Sequence, residues 1–171
     1  MTEVLMVAAP EKFRDEELAI PRQTLEAKGA RVTVASTRPG VITGMLGATA
    51  QATDIQQAVG QTFDAIIIVG GAGAPAALWE NITLRQIIRH HVGAKKVVGA
   101  ICLAGAALAK AGALEGVEAT VFKTEDSMKV YKELGVIFRE KPVVVSGRMI
   151  TANGPAAARE FALAICSALG L

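Results

Sequence analysis

Residues 97–112 read VVGAICLAGAALAKAG, an apolar strand pattern that runs directly into a cysteine and then into an Ala/Gly-rich helix pattern. The run Val97–Ile101 is continuously apolar, which is typical of a parallel strand covered on both faces. A sharp strand-to-helix turn there predicts a nucleophile elbow, with the Cys102 side chain above the end of the sheet and near the positive end of a helix. Ala100 and Ala104 stand where a strict G-x-S-x-G elbow has glycines. We expect a depressed pKa and a thiol present largely as thiolate, the alternative being an inert buried cysteine.

Outward from this segment, short apolar runs alternate with helical patterns along the chain. The predicted strands are Val4–Ala8, Arg31–Ala35, Ala65–Val69, Val97–Ile101, Ala119–Phe122, Pro142–Val145 and Met149–Thr151. The predicted helices are Asp15–Lys28, Thr83–Val92, Leu103–Ala111, Ser127–Leu134 and Ala156–Leu169. This order predicts one α/β domain over residues 1–171, a three-layer, doubly wound sandwich around a mostly parallel sheet. Such folds bind ligands beyond the carboxyl ends of their strands, so function is sought after Ala8, Val69 and Ile101.

Composition excludes several classes of protein. The 171 residues are 51% apolar and 4% aromatic, with a net charge of +2 and no basic run, which excludes a disordered chain and disfavours a nucleic-acid binder. Apolar runs are too short to span a bilayer, and the start MTEVLMVAAPEKF has no secretory signal pattern. Two cysteines make no disulfide framework, so we expect a cytoplasmic protein with free thiols and no membrane association.

A second site is predicted in the segment VGGAGAP, which follows a buried strand. The paired glycines Gly70 and Gly71 let backbone N–H groups approach a reacting oxygen, so the amides of Gly71 and Leu103 form a candidate oxyanion hole. Gly71, Gly73 and Ala76 also match a G-x-G-x-x-A dinucleotide pattern. That reading is disfavoured because a proline interrupts the motif and no ribose-binding acid follows the next strand. A plain turn is the third alternative.

A third site is predicted in EKFRDEELAIP, at the start of the first helix. Its four acids are Glu11, Asp15, Glu16 and Glu17. Most carboxylates in a first helical turn are solvated and favoured by the helix dipole. One that lies beside a thiolate would have a raised pKa and could share a proton with sulfur.

Taken together, FRDEELAIP, VGGAGAP, AICLAGAALAKAG and ITANGPAAAREFALAI resemble the ThiJ/PfpI superfamily, in its branch of protein deglycases and PfpI-type intracellular proteases. The resemblance covers essentially the whole chain and implies a flavodoxin-like, class I glutamine amidotransferase-like sandwich. It implies that Glu17, four residues before Pro21, hydrogen-bonds Cys102, and that the oxyanion amides are those of Gly71 and Leu103.

Further expectations concern the periphery of the site. In this family the loop ANGP lies near the site, so the resemblance makes Asn153 and Gly154 supporting residues, together with Gly70. We expect a special backbone angle at Gly154 and an early helical position for Pro155. Residues 39–55, PGVITGMLGATAQATDI, predict an edge hairpin. Family members pair through such edges, so a homodimer or larger homo-oligomer is expected.

The chain departs from the family at its histidines. PfpI-type proteases carry histidine directly after the cysteine, where this chain has Leu103. The deglycase branch has a histidine in the segment ATVFKTEDSM, where this chain has Phe122 or Lys123 nearby. The two histidines present, His90 and His91, are predicted to be structural or solvated, at the opposite end of the sheet from the cysteine.

Without an adjacent base, amide hydrolysis is disfavoured, because a leaving amine needs a proton. The resemblance implies attack of Cys102 on a reactive dicarbonyl, as in glyoxalase III-like or deglycase-like chemistry on small aldehydes or glycated thiols and amines, with no cofactor or metal. The alternatives are a redox sensor or chaperone through oxidation of Cys102, a PfpI-type protease, and a scaffold with a vestigial site. Cys166 is predicted to pack as a small hydrophobe, and Trp79 to serve packing or an interface.

Overall fold

A computed structural model describes all residues 1–171 and contains a nine-stranded sheet with helices on both faces. The strands are β1 (Glu3–Val7), β2 (Glu11–Phe13), β3 (Arg31–Ser36), β4 (Gly40–Gly44), β5 (Thr49–Asp54), β6 (Ala65–Ile68), β7 (Val97–Ile101), β8 (Glu118–Ala119), β9 (Ile137–Phe138), β10 (Val143–Ser146) and β11 (Met149–Ala152). The helices are α1 (Asp15–Ala27), α2 (Ala74–Ala77), α3 (Ile82–Gly93), α4 (Gly105–Lys110), α5 (Glu125–Glu133) and α6 (Ala158–Leu169). None of them is long and apolar enough to cross a bilayer.

The sheet order is β10-β11-β7-β6-β1-β3-β5-β4-β2. Six neighbouring strands, from β11 to β5, run parallel, while β10 and the β4–β5 pair add antiparallel contacts near the edges. The predicted mostly parallel α/β sandwich is therefore confirmed. Because β1, β6 and β7 are adjacent and parallel, the loops that follow them meet at one end of the sheet.

Two apolar cores lie on the two faces of the sheet. Along β1, Leu5 and Val7 belong to the core beneath α3 and α4, whereas Val4 and Met6 belong to the core beneath α1 and α6. All four of these side chains have no exposed surface. The strand alternates between two buried faces from Val4 to Val7, which explains why these four positions are all apolar.

Several elements differ from the sequence prediction. The predicted strand Ala119–Phe122 is reduced to β8, which pairs with β9 in a separate two-stranded sheet outside the main one. The helix predicted from Leu103 begins as a single 3₁₀ turn, Cys102–Ala104, before α4. The short elements β2 and α2 were not predicted, because three or four residues show no periodicity.

The hairpin predicted within residues 39–55 is present as the antiparallel pair β4 and β5. It lies near one end of the sheet rather than at its margin, because β2 pairs with β4 outside it. Val41 and Leu46 on this hairpin are exposed. Association of copies of the chain through this edge stays a prediction.

The two histidines lie at the amino ends of the strands, away from Cys102. His91 is fully buried; its Nε2 accepts a hydrogen bond from the N–H of Phe63 at 3.0 Å and its Nδ1 faces the Ile87 carbonyl at 2.7 Å. Burial lowers the pKa of His91, so the ring is neutral. His90 is exposed and contacts the Thr62 hydroxyl. The structural role predicted for both residues agrees with this placement.

We expect His91→Leu to lower the free energy of unfolding by about 1–3 kcal/mol, because the buried N–H of Phe63 loses its acceptor. The matched variant His90→Leu, at an exposed position, should change it by less than about 0.5 kcal/mol. Urea unfolding measures both as shifts of the midpoint at constant slope. Equal losses in the two variants would contradict the structural role of His91.

Candidate active site

Cys102 lies at a sharp turn between β7 and the 3₁₀ turn that precedes α4. Its φ angle is +61°, a left-handed conformation that is uncommon for a residue with a side chain, while Ile101 before it is extended. The Cys102 side chain is 6% exposed. Gly105 allows close packing after the turn, since a Cβ there would collide with the Tyr131 hydroxyl. The sharp strand-to-helix turn is thus present, with backbone strain at the cysteine, and its role as a nucleophile elbow stays a prediction.

Glu17 places a buried carboxyl beside this turn. It lies in the first turns of α1, on the face that also buries Leu18, Pro21 and Leu25 against the sheet. Its Oε2 accepts a hydrogen bond from the N–H of Gly70 at 2.9 Å, and its Oε1 has no partner of ordinary geometry. The Cys102 thiol is near enough to interact with the same carboxyl.

Gly70 and Gly71 bring the β6 loop against both groups. A Cβ at Gly70 would lie 2.6 Å from the Cys102 Cβ and 2.6 Å from the Glu17 Oε2, so only glycine leaves room for this contact. The Gly70 carbonyl accepts a hydrogen bond from the N–H of Arg14 at 2.9 Å, which ties the loop to the start of α1. Gly71 has a φ of +113° and directs its N–H toward the sulfur of Cys102.

The two acids of the site do not ionise independently. Burial raises the pKa of Glu17 to about 7, although hydrogen bonds from Cys102 and Gly70 favour its charged form. Burial and the ionised Glu17 raise the pKa of the Cys102 thiol to about 12, although the amides of Leu103 and Gly71 favour the thiolate. From about pH 7 to about pH 12 the pair therefore retains one proton. When that proton lies on the carboxyl, the sulfur is a thiolate facing two amides and a carboxylic acid.

The expectation of a depressed thiol pKa is wrong for Cys102 taken alone. The helix that follows the turn, α4, has six residues, and its dipole does not outweigh the nearly complete burial of the sulfur. Thiolate is available only through proton sharing with Glu17. The raised pKa expected for a carboxyl beside the thiol agrees with the shift at Glu17.

The structure brings together the residues predicted at three strand ends, Glu17, Gly70, Gly71, Cys102 and Leu103. That these residues take part in a reaction stays a prediction, and their placement is compatible with it.

Asn153 and Gly154 follow β11, whose last residue, Ala152, pairs with Ile101 beside the turn, and Gly154 also lies near Phe122. The N–H of Phe122 donates to the Cys102 carbonyl at 3.2 Å, and a Cβ at Gly154 would lie 3.5 Å from the Phe122 ring. The special backbone angle expected at Gly154 is wrong, because its φ of 163° is extended. Pro155 opens a 3₁₀ turn before α6, as predicted.

The glycines of VGGAGAP do not form a dinucleotide cradle. A Cβ at Gly71 or Gly73 would collide with the backbone of the β2 segment, and the N–H of Gly73 donates to the Lys12 carbonyl. These glycines therefore serve close packing against β2. No group of three or more His, Cys, Asp or Glu side chains is arranged to hold a metal ion.

Trp79 is a site residue that the sequence analysis assigned to packing. Its Nε1–H donates to the Leu103 carbonyl at 2.8 Å, so the loop after α2 is tied to the elbow. Leu103, one of the two candidate amide donors, lies on the turn that Trp79 contacts, whereas Gly71, the other, lies in the loop before α2. The sequence indicated this contact only weakly, since a single tryptophan shortly after a glycine loop can have many structural roles. Cys166 is buried in the core beneath α6, as predicted.

The fold and site define an α/β protein in which a cysteine at a strand-to-helix turn lies against a buried carboxyl. The model of the DJ-1/PfpI family matches residues 2–168, and the chain belongs to that family.

Relatives and solved structures cover nearly the whole chain. An uncharacterised protein of Methanocaldococcus jannaschii is 42% identical over 168 residues, which make up 97% of this chain and 82% of the relative. A deglycase of Pyrococcus abyssi is 31% identical, with 88% and 90% coverage, and a glutathione-independent glyoxalase of Caenorhabditis elegans is 28% identical, with 96% and 87% coverage. The crystal structure of a ThiJ/PfpI domain protein from Brachyspira murdochii superposes with a TM-score of 0.91 at 28% identity, covering 98% of this chain and 96% of its own.

Shared protonation predicts a characteristic pH dependence of Cys102 reactivity. Alkylation by iodoacetamide should rise through a step near pH 7, where the pair loses its first proton, and then stay flat. In Glu17→Gln the step should move to higher pH, because burial raises the thiol pKa and no carboxyl takes the proton. Glu16→Gln removes a carboxylate that pairs with Arg14 at the surface and should leave the step in place. A step that stays near pH 7 in Glu17→Gln would refute the pairing.

Trp79→Phe should move the midpoint of the Cys102 alkylation step to higher pH by about half a pH unit. Its lost hydrogen bond is worth on the order of 1 kcal/mol, part of which positions the Leu103 amide that stabilises the thiolate. Tyr131→Phe is the matched control, because it also removes one bond to a backbone carbonyl, that of Thr120 at 2.7 Å. Both variants should lower the melting temperature, but only Trp79→Phe should move the alkylation step. If the alkylation step of Trp79→Phe stays at the pH of the wild type, the role of Trp79 is packing alone.

Proposed function

We propose that the protein converts reactive dicarbonyls, free or bound to thiols and amines, into hydroxy acids through a covalent adduct on Cys102. The observation that carries the proposal is the placement of Cys102, at the turn after β7, beside the fully buried carboxyl of Glu17, with Gly70 packed against both. The relatives named as deglycase and glyoxalase support the same class of chemistry.

The first step forms a hemithioacetal. With methylglyoxal, Sγ of Cys102 attacks the aldehyde carbon, the C–S bond forms, and the thiol proton passes through Glu17 to the new hydroxyl oxygen. Developing charge on that oxygen lies near the Gly71 and Leu103 amides, which are positioned before the reaction.

The second step is an internal redox reaction. The proton on the former aldehyde carbon moves to the neighbouring ketone carbon, and the hydroxyl proton of the hemithioacetal moves to the ketone oxygen. The first carbon is thereby oxidised to a thioester and the second reduced to an alcohol without an external oxidant. Glu17, with a pKa near 7, can both accept and donate this proton. Water then hydrolyses the thioester, releases lactate and restores the thiol.

Proteolysis is a poorer match to this site. Cysteine proteases of the Cys–His type use a histidine beside the nucleophile to protonate the leaving amine. Leu103 occupies the position after the cysteine, and both histidines lie at the other end of the strands.

A redox-sensing role is the second candidate, and the unpartnered Oε1 of Glu17 favours it. A protonated carboxyl there could donate a hydrogen bond to an oxygen of oxidised Cys102. The low exposure of the sulfur, 6% for the residue, slows its access to oxidants and ranks this reading second. In either role a reducing cytoplasm is the location that keeps the thiol free.

The test follows lactate formation from methylglyoxal by the purified chain. Cys102→Ser should reduce turnover to background, and Glu17→Gln should lower kcat at least 100-fold, within the range for loss of general acid–base catalysis. Activity of the wild type should rise with pH through about 7, because the pair then releases its first proton.

Glu16→Gln serves as the control and should retain full activity. Absence of turnover in a folded protein with a reduced thiol would reject dicarbonyl chemistry. Mass spectrometry of Cys102 after peroxide treatment would then test the redox role.

A further inference from the structure

A cavity of about 520 Å³ lies at the amino ends of the central strands, at the opposite end of the sheet from Cys102. Its lining includes Asp64, Lys95, Lys96, Val97, Arg148 and Ala168. Val97 is the first residue of β7 and Cys102 follows the last one, so the length of a strand, roughly 16 Å, separates the cavity from the sulfur. Neither residue of the acid pair lines it.

Three positive side chains and one negative side chain line this cavity. The Nζ of Lys96 lies 3.2 Å from the Oδ1 of Asp64, whose Oδ2 accepts a hydrogen bond from the N–H of Glu3 at 2.9 Å. The bond from Glu3 and the contact with Lys96 lower the pKa of Asp64, so a carboxylate balances the charge of Lys96. Lys95 and Arg148 form no ion pair. Two positive charges in the cavity therefore have no partner in the protein.

The backbone of Lys95 is held in a left-handed conformation, with a φ of +57°. It follows α3, where the N–H of Lys95 donates to the Val92 carbonyl at 3.1 Å and the N–H of Lys96 to the His91 carbonyl at 3.0 Å. These two bonds form a Schellman motif, whose left-handed residue is usually glycine because a Cβ is disfavoured there. A lysine at this position places a charge at the cavity at a cost in backbone strain.

Arg148 lies at the junction of this cavity and a second one. Its Nη1 donates to the Ala168 carbonyl at 2.8 Å, and both residues also line an adjoining cavity of about 510 Å³. The walls of the adjoining cavity are more apolar and include Ala164 and Val145, which is 57% exposed. The guanidinium is thus fixed between a charged surface and an apolar one, and it has N–H donors beyond the one that Ala168 accepts.

We propose that the two cavities together bind a small phosphate monoester, with the phosphate between Lys95 and Arg148 and the organic group on the apolar walls around Ala168. Such a phosphate carries about 1.5 to 2 negative charges at pH 7, which match the two unpaired cations, whereas a carboxylate carries one. Its oxygens accept hydrogen bonds from a guanidinium fork and from an ammonium group. Each cavity has the volume of a small-molecule site.

The experiment titrates the purified chain with phenyl phosphate by calorimetry at about pH 7.5, where the monoester is almost fully dianionic. Phenyl sulfate has the same shape and a single negative charge. Inorganic phosphate has the charge and no organic group. We expect each of these two to bind the wild type at least about fivefold more weakly than phenyl phosphate, as for loss of one partly exposed charge contact or of the apolar contact.

The variants locate the site. Lys95→Met and Arg148→Met should each weaken phenyl phosphate about fivefold and reduce its preference over phenyl sulfate. Arg148→Lys, which keeps the charge, should bind more strongly than Arg148→Met. Lys132→Met, at an exposed lysine of α5 outside both cavities, should bind as the wild type does.

Lys95→Gly separates the charge from the backbone. Glycine adopts the left-handed conformation without strain, so this variant should lose as much affinity as Lys95→Met without a lower melting temperature. A residue that served only to end α3 would show no change in affinity.

Equal affinity for phenyl phosphate and phenyl sulfate would overturn the match to a dianion, and equal affinity for phenyl phosphate and inorganic phosphate would overturn the apolar contact. No binding by the wild type, or wild-type affinity in Lys95→Gly, would overturn the site itself. Cys102→Ser should bind phenyl phosphate as the wild type does, because the sulfur lies at the other end of the sheet. The titration involves no turnover, so its result is independent of the test with methylglyoxal.

Discussion

The site depends on a carboxyl held entirely out of water against a cysteine. Glu17 has no exposed surface, and a single backbone N–H, that of Gly70, donates to it. An isolated ionised carboxylate would be costly in such a place, so the carboxyl retains a proton up to about pH 7. Burial and the ionised Glu17 together raise the pKa of the Cys102 thiol to about 12, so at lower pH the sulfur is a thiolate only when the carboxyl holds the shared proton.

The rest of the fold meets the steric demands of this contact. Three segments converge at the ends of β1, β6 and β7, and they approach so closely that Gly70 has no space for a methyl group. The N–H of Arg14 holds the Gly70 carbonyl from one side, while Trp79 holds the Leu103 carbonyl from the other. Positive φ angles at Gly71 and Cys102 show that the backbone is bent to bring amides to the sulfur. Rigid strands supply the support that such strain requires.

This arrangement separates the chain from thiol enzymes that use histidine. A Cys–His pair holds its base beside the sulfur, whereas here a buried carboxyl with a pKa of about 7 lies in that place. Phe122 occupies the segment in which a histidine is expected in the deglycase branch, and it lines a cavity beside the turn.

The sequence by itself determined the central strands of the sheet, their burial on both faces and the position of the elbow. Unbroken apolar runs and the glycines that end helices are signals that can be recognised locally along the chain. It also indicated Glu17, through the resemblance of the helix start to a known pattern rather than through any local property of four neighbouring acids. The short strands β2 and β9 were not predicted, since they exist only through pairing with strands distant in the sequence.

Only the tertiary structure decided the ionisation of the site. A local reading of Cys102 at a helix start predicts a depressed thiol pKa, yet burial and the nearby Glu17 reverse its direction. Desolvation is set by every element packed around a group, and no stretch of sequence contains that information. The same reason explains Trp79 and Lys123, whose partners Leu103 and Glu140 are 24 and 17 residues away along the chain and adjacent only after folding.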